Sequence, residues 1–293
     1  MPIVERILCP VDLSDASRRA LGHALALGSQ YEASVRVLQV VDVHGWGSTN
    51  VEALTGEARK GIAEQLERWV AREASGAAAA STDVREGPVV PGILAAAHDM
   101  PADLIVMSTH GRTGFERFSL GSITEKVVRK ATCPVLVVPS REDALVRVGA
   151  PGRIVCATDF SQPSVRALDY ARFFGGDGRS ALSVVTVIDW PFGETHGTDP
   201  ITTLRQSLEQ EASDSARRLA TEAGVTSADI VVRKGKAGRE ILQYARDVHA
   251  ELLVMGVSGR GAVDLALLGS TAHHVLRDAP CPVLMVPAAA TQH

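Results

Sequence analysis

None of the four cysteines, Cys9, Cys133, Cys156 and Cys281, belongs to a C-x-x-C pair, so the sequence supports neither a zinc knuckle nor a thioredoxin-type redox site. They read instead as small buried strand residues. Aromatic residues make up only 4% of the chain and never interleave with a dense Lys/Arg run. With a formal net charge of -4, the chain also lacks the basic excess that a phosphate backbone selects, so no nucleic-acid partner is expected. No stretch approaches the ~18 to 20 apolar residues needed to span a bilayer. The opening MPIVERILCPVDLS shows no basic region, long apolar core or small-residue cleavage site. A soluble cytoplasmic protein with no membrane partner is therefore expected. The common phosphate motifs are missing too. There is no Gly-Lys-Ser/Thr, and Gly259-Arg260-Gly261 lacks the third glycine and the strand-to-helix position of a dinucleotide fingerprint.

What the chain does have is a second copy of itself. ILCPVDLSDASRRAL, from Ile7, returns as IVCATDFSQPSVRAL, from Ile154, so that Cys9 maps to Cys156, Asp12 to Asp159, Ser14 to Ser161 and Ser17 to Ser164. The same register carries Val40-Val41-Asp42 onto Val187-Ile188-Asp189. Later, DLIVMSTHGRTGFERFSLGS returns as ELLVMGVSGRGAVDLALLGS and ATCPVLVVP as APCPVLMVP, now shifted by one residue. That single-residue change must fall in the middle of the repeat, where the copies are least alike.

Within each copy, apolar β-rich runs alternate with longer segments of helical period, the pattern of βα units on a parallel sheet. The predicted strands are 7–11, 35–41, 84–86, 104–107 and 135–138, then 154–157, 182–188, 230–233, 252–255 and 283–286. Helical stretches fall near 16–28, 51–73, 93–98 and 122–130 in the first copy. The expected fold is α/β: two tandem, doubly wound, five-stranded parallel sheets with helices on both faces. The domains expected are 1–143 and 150–290, joined by the short linker SREDALVRVGAPGR. The Ala-rich SGAAAASTD reads as a loop or helix end, and the last six residues as a frayed tail.

A doubly wound sheet binds its ligand outside the carboxyl ends of the strands, where strand order reverses. Each copy places a glycine loop there, after the fourth strand, and Gly121-Ser122 and Gly269-Ser270 then open a helix. Glycine permits a sharp turn and close ligand approach, and a helix N-terminus offers unpaired N–H groups to phosphate. One such loop is equally explained by turns and a serine N-cap. Two copies at two strand ends favour the ligand. His110, Arg112 and Arg260 lie in these loops, where a cation meets phosphate oxygens or simply faces water. His273 and His274 are adjacent on a helix and point apart, so they read as packing or solvated side chains. No Ser/His/Asp set recurs in the two copies, so no catalytic residue and no metal ligand is assigned.

With these residues in view, the chain resembles the universal stress protein family, whose ATP-binding loop reads Gly, two residues, Gly, nine residues, Gly, then Ser or Thr. The second copy matches throughout with Gly256, Gly259, Gly269 and Ser270; the first matches Gly111, Gly121 and Ser122 but carries Ser108 for the first glycine. The likeness covers nearly the whole chain twice and includes the P-x-D-x-S or A-T-D-x-S strand end and the closing C-P-V-L strand. It implies an adenine nucleotide alpha-hydrolase-like, Rossmann-like fold and an ATP-binding protein of regulation or stress response, with magnesium accompanying the ATP. A slow ATPase of the same fold is the alternative.

By the resemblance, Asp12 and Asp159 meet the adenosine, Val40 and Val187 offer backbone groups to adenine, and Met107 and Met255 line the pocket. Ser108, Gly111, Gly121 and Ser122, with Gly256, Gly259, Gly269, Ser270 and Thr271, hold the phosphates. An Asp at a strand end equally caps the following turn. An intramolecular pseudo-dimer through the two last strands is implied as well, with a homo-oligomer and a regulatory protein partner as further associations. If the loop needs positive φ at its first residue, Ser108 makes the first site the weaker one.

Overall fold

The computed structural model describes residues 2–42, 55–73, 80–111, 120–140, 150–176, 178–190, 200–259 and 268–288. Strands and helices alternate through the described residues, and the chain divides into two compact units, Ile3–Ala150 and Pro151–His293, the latter grouped with Met1–Pro2. In the first unit the order is β1 (Arg6–Pro10), α1 (Asp15–Tyr31), β2 (Ser34–Val41), α2 (Gly56–Glu73), β3 (Ala80–Glu86), α3 (Val89–Asp99), β4 (Leu104–Ser108), α4 (Ser122–Lys130) and β5 (Val135–Val138). In the second it is β6 (Arg153–Ala157), α5 (Gln162–Gly175), β7 (Ala181–Ile188), α6 (Pro200–Glu222), β8 (Asp229–Lys234), α7 (Ala237–Asp247), β9 (Leu252–Gly256), α8 (Ser270–Asp278) and β10 (Val283–Val286).

Within each unit the strands are parallel and ordered 3-2-1-4-5, read as β3-β2-β1-β4-β5 and β8-β7-β6-β9-β10. The order therefore reverses beside β1 and beside β6. Chain direction and connectivity put α1 against α2 and α3 against α4, a helical layer on either face of the first sheet. This double cover explains why β1, β4, β5, β9 and β10 read as unbroken apolar runs. The two units are tandem, doubly wound, five-stranded parallel sheets.

Local chemistry sets the helix ends. The Ser14 hydroxyl accepts the Ser17 N–H at 3.1 Å and caps α1, while Glu32 closes it in the left-handed region at φ 54°. Gly176, at φ 56°, closes α5, whose first turn carries Pro163. A carboxylate ties each first strand to the fourth. Asp103 accepts the Glu5 and Arg6 N–H groups and pairs with the Arg6 guanidinium at 3.0 Å; the buried Glu251 accepts the Gly152 N–H at 2.6 Å.

The pairing register locates the residue inserted between the copies. Val37 faces Thr82 in the first unit, 45 residues on, whereas Val184 faces Ile230 in the second, 46 residues on. The extra residue thus lies between the second and third strands of the second unit, in the crossover carrying its long helix, α6.

Two readings need correction. The Ala-rich segment does not end as a loop: β3 starts at Ala80, four residues before the predicted strand, and those residues pair with β2 although only Val84 in β3 is fully buried. Backbone pairing at an edge holds them there, and side-chain pattern carries little of that signal. Cys133 and Cys281 sit just before β5 and β10 rather than within them, and Cys133 is half-buried; Cys9 and Cys156 are strand residues and fully buried. Burial pushes all four thiols up to about 12, so they are not nucleophiles at neutral pH. The predicted helix start at 51, residues 141–149 of the linker and the tail from 289 lie outside the described residues.

His23, on α1, is 5% exposed, its Nε2 has no hydrogen-bond partner, and burial pushes its pKa down to about 4. The unfolded chain, with a value near 6.5, takes up this proton first as pH falls. The contribution of a neutral His23 is then complete above about pH 6.5 and is lost as pH falls toward 4, by roughly 3 kcal/mol in all. Denaturant unfolding of the wild type and His23→Gln at pH 7.5 and pH 5 checks this. The variant is expected to lose less stability between the two pH values, and an equal loss would refute the assignment.

Candidate nucleotide-binding crevices

At the reversal point beside β1, the flanking strands separate. Residue pairs join β1 to β4 only at Ile7–Leu104 and Leu8–Ile105, after which β4 continues along β5 to Ser108. On the other side β2 runs on past Leu38, the last partner of β1, and pairs with β3 as far as Val41. A crevice therefore opens beyond the carboxyl ends of β1 and β4. The second unit repeats it, with Cys156–Val254 as the last β6–β9 pair and β9 continuing to Gly256.

Asp12 follows β1 and stands at the rim of this crevice. Its Oδ1 accepts the Ser14 N–H at 3.1 Å and the Ser14 hydroxyl at 2.5 Å, and Asp159 holds Ser161 with the same two distances. The turn-capping role anticipated for these carboxylates is thus present. Between carboxylate and serine stands a residue that sequence reasoning missed: Leu13 and Phe160 both have φ of 64°. A bulky residue in the left-handed region costs about 1–2 kcal/mol, and both units carry that cost at the same turn. Nothing in the residue types announces it.

The glycine loop comes up against the same carboxylate. A Cβ on Gly111 would lie 2.4 Å from the Asp12 Oδ2, and one on Gly259 would lie 2.4 Å from the Asp159 Oδ2. The loop backbone is thus seated directly beside an anionic oxygen in both units, so close that a Cβ on either glycine would push the carboxylate aside. Each loop is also pinched at its base. The Gly121 N–H donates to the Thr109 carbonyl at 2.9 Å, and Gly269 donates to Val257 at 3.1 Å. A Cβ on Gly121 would meet that carbonyl at 2.6 Å.

Ser122 and Ser270 are not N-caps. Gly121 and Gly269 occupy those positions, with no side-chain cap bond, and the serines are the exposed first residues of α4 and α8. Thr271 follows half-buried, while Met107 and Met255, near the ends of β4 and β9 before the loops, are 5% and 6% exposed. Val40 and Val187 are half-buried near the ends of β2 and β7. The Val40 side chain lies against α3, where a Cβ on Gly92 would approach it to 2.9 Å. His110 is half-buried, with burial lowering its pKa, and its Nδ1 lies 3.0 Å from the Ser140 Oγ. His274 packs against Gly238 of α7 and stands 3.9 Å from Asp278, a packing role like the one expected. Arg112, Arg260 and Gly261 lie outside the described residues.

The proposed handicap of Ser108 loses its premise. Neither Ser108 nor Gly256 has positive φ. Gly256 is instead required by packing: a Cβ there would lie 2.8 Å from the Pro163 Cβ and 3.0 Å from the Ser164 nitrogen. Pro163 corresponds to Ala16 in the first unit. Ala16 lacks the proline ring but keeps the Cβ, so the two units differ at both of these positions.

The fold and the paired crevices define a class, the adenine nucleotide alpha-hydrolase-like α/β proteins, here with two copies in tandem. The profile of the universal stress protein family matches residues 4–139 and 151–287, and the chain belongs to that family. A universal stress protein of Methanocaldococcus jannaschii is 36% identical over 153 residues, covering 48% of this chain and 86% of its own length. A putative universal stress protein of Staphylococcus aureus is 32% identical over 144 residues, or 47% of this chain and 86% of its own. The crystal structure of a universal stress protein from Archaeoglobus fulgidus matches 97% of this chain and 96% of its own, with a TM-score of 0.66 and 22% identity. Among the described residues no helix is long and apolar enough to cross a membrane.

The Gly256–Pro163 contact makes a direct prediction. Gly256→Ser is expected to destabilise the second unit by about 1–3 kcal/mol, and Pro163→Ala should recover little of that loss, because alanine keeps the Cβ and backbone atoms that the new side chain meets. Urea unfolding of the wild type, the two single variants and the double variant measures the coupling, and a large recovery in the double variant would show that the proline ring, not those atoms, sets the limit.

Proposed function

We propose that each unit binds ATP in its crevice and that the protein acts as a nucleotide-dependent regulatory or stress-response protein of its family. The observation that carries this reading is the repeated triad of carboxylate, close glycine and helix start without a side-chain cap, at the reversal point of both sheets. Asp12 or Asp159 would accept a ribose hydroxyl or the adenine amine, and Val40 or Val187 would offer backbone groups to adenine. Met107 or Met255 would line the pocket. Ser108, Gly111, Gly121 and Ser122 would hold the phosphates in the first unit, and Gly256, Gly259, Gly269, Ser270 and Thr271 in the second.

Magnesium fits only as a companion of the nucleotide. Among the described residues no group of three or more His, Cys, Asp or Glu could hold a metal. A hard cation with several waters and phosphate oxygens needs at most one carboxylate from the protein. The metal supplies charge neutralisation; the amides and hydroxyls of the chain bind and orient. No side chain described in either crevice is placed to activate water, so binding should exceed chemistry.

Isothermal titration of Mg-ATP into the wild type should give two sites per chain, and into Gly111→Asp or Gly259→Asp one site each. Turnover should stay well below ~1 per second. Absence of binding would reject the reading, and sustained faster turnover would favour the enzyme alternative.

The apolar last strands, CPVLVVP and CPVLMVP, further support an intramolecular pseudo-dimer, since an unpaired edge of that kind is an aggregation hazard. Either half expressed alone is expected to self-associate in analytical ultracentrifugation. A half that stays monomeric at high concentration would count against this arrangement.

A further inference from the structure

The first residues of the two loops, 108–111 and 256–259, are held differently. In the first unit the Ser108 hydroxyl donates to the His110 carbonyl at 2.7 Å, closing the turn that leads to Gly111. From the other side of the crevice, the buried Thr124 hydroxyl on α4 donates to the Ser108 carbonyl at 2.8 Å. The next residues are tied to the chain after β5. The Ser140 N–H donates to the Thr109 Oγ1 at 3.0 Å, the two hydroxyls lie 2.9 Å apart, and the His110 ring nitrogen reaches both. The corresponding residues of the second unit are Gly256, Ala272, Val257, Ser258 and Ala288. Four of these five have no side-chain group able to form such bonds. There the backbone bonds of Val257 with Val286 and Gly269 remain, and Gly256 lies close to Pro163 and Gly259 close to Asp159.

We propose that Ser108 and Thr124 are positioning residues that keep the first loop in its binding shape without ligand, so that the first unit releases ATP more slowly than the second. The proposal rests on the ATP reading above. A loop already ordered gives up little freedom on binding, and such gains show mainly in the rate of release. The first unit then retains nucleotide while the second exchanges it and follows its concentration. This order is the reverse of the one suggested by counting motif glycines.

The loops can be read without nucleotide. In hydrogen exchange on the full chain, amides 109–111 should exchange about tenfold more slowly than amides 257–259. Ser108→Ala and Thr124→Val should each remove much of that protection, whereas Thr124→Ser, which keeps the hydroxyl, should retain it. Release of radiolabelled ATP, followed by rapid filtration, should be about fivefold slower from Gly259→Asp, which keeps the first site, than from Gly111→Asp. Adding Thr124→Val to Gly259→Asp should abolish the difference. Grafting Pro163→Ala, Gly256→Ser and Ala272→Thr together onto Gly111→Asp should slow release from the second site. Equal protection of the two loops, equal release rates, or a Thr124→Ser chain as exposed as Thr124→Val would overturn the proposal. A protected first loop in a chain that takes up no ATP at either site would overturn the nucleotide reading, and the claim about release with it.

Discussion

The closeness of one carboxylate to one glycine governs the geometry of each crevice. The Asp12 and Asp159 oxygens lie 2.4 Å from where a Cβ on Gly111 or Gly259 would stand, so the loop after the fourth strand rests on the turn after the first. That contact joins the two strands which the 3-2-1-4-5 order leaves diverging. Strand order opens the crevice, and the carboxylate–glycine contact limits how far its two rims part. The left-handed Leu13 and Phe160 follow from the same constraint, since the chain must turn sharply enough for one carboxylate to face both its own helix start and the opposite loop.

Much of this was legible before any coordinates. The alternation of apolar runs with helical segments located all ten strands, and the repeat located both loops, because parallel strands covered on two faces leave a dense hydrophobic signal. Edges were less legible. The beginning of β3 is held by backbone pairing with β2, and its residues, Ala80 to Asp83, have side chains that betray little of it. The positive φ of Leu13 is equally silent, because it belongs to the turn that Asp12 and Ser14 close around it and not to a residue type that favours it.

The glycine pattern taught the opposite lesson. Gly256 looked like a loop residue chosen for backbone freedom, yet it has ordinary φ and is small because Pro163 is close. Its counterpart Ser108 looked like a defect and instead closes a hydrogen bond within the loop. A single sequence displays such pairs only when it contains two copies of the same fold, and only once the register between them is known. Here Ala16 with Ser108 and Pro163 with Gly256 are the two pairs.

The residue gained between β7 and β8 has a wider meaning. It entered the crossover between β7 and β8, at the sheet margin, and the Asp159–Gly259 contact keeps the same closeness as that of Asp12 and Gly111. The margin of each sheet can therefore drift in length while its centre stays fixed. A lineage of such proteins could acquire new surface on this outer arm, and with it new associations, without renegotiating the chemistry at the middle.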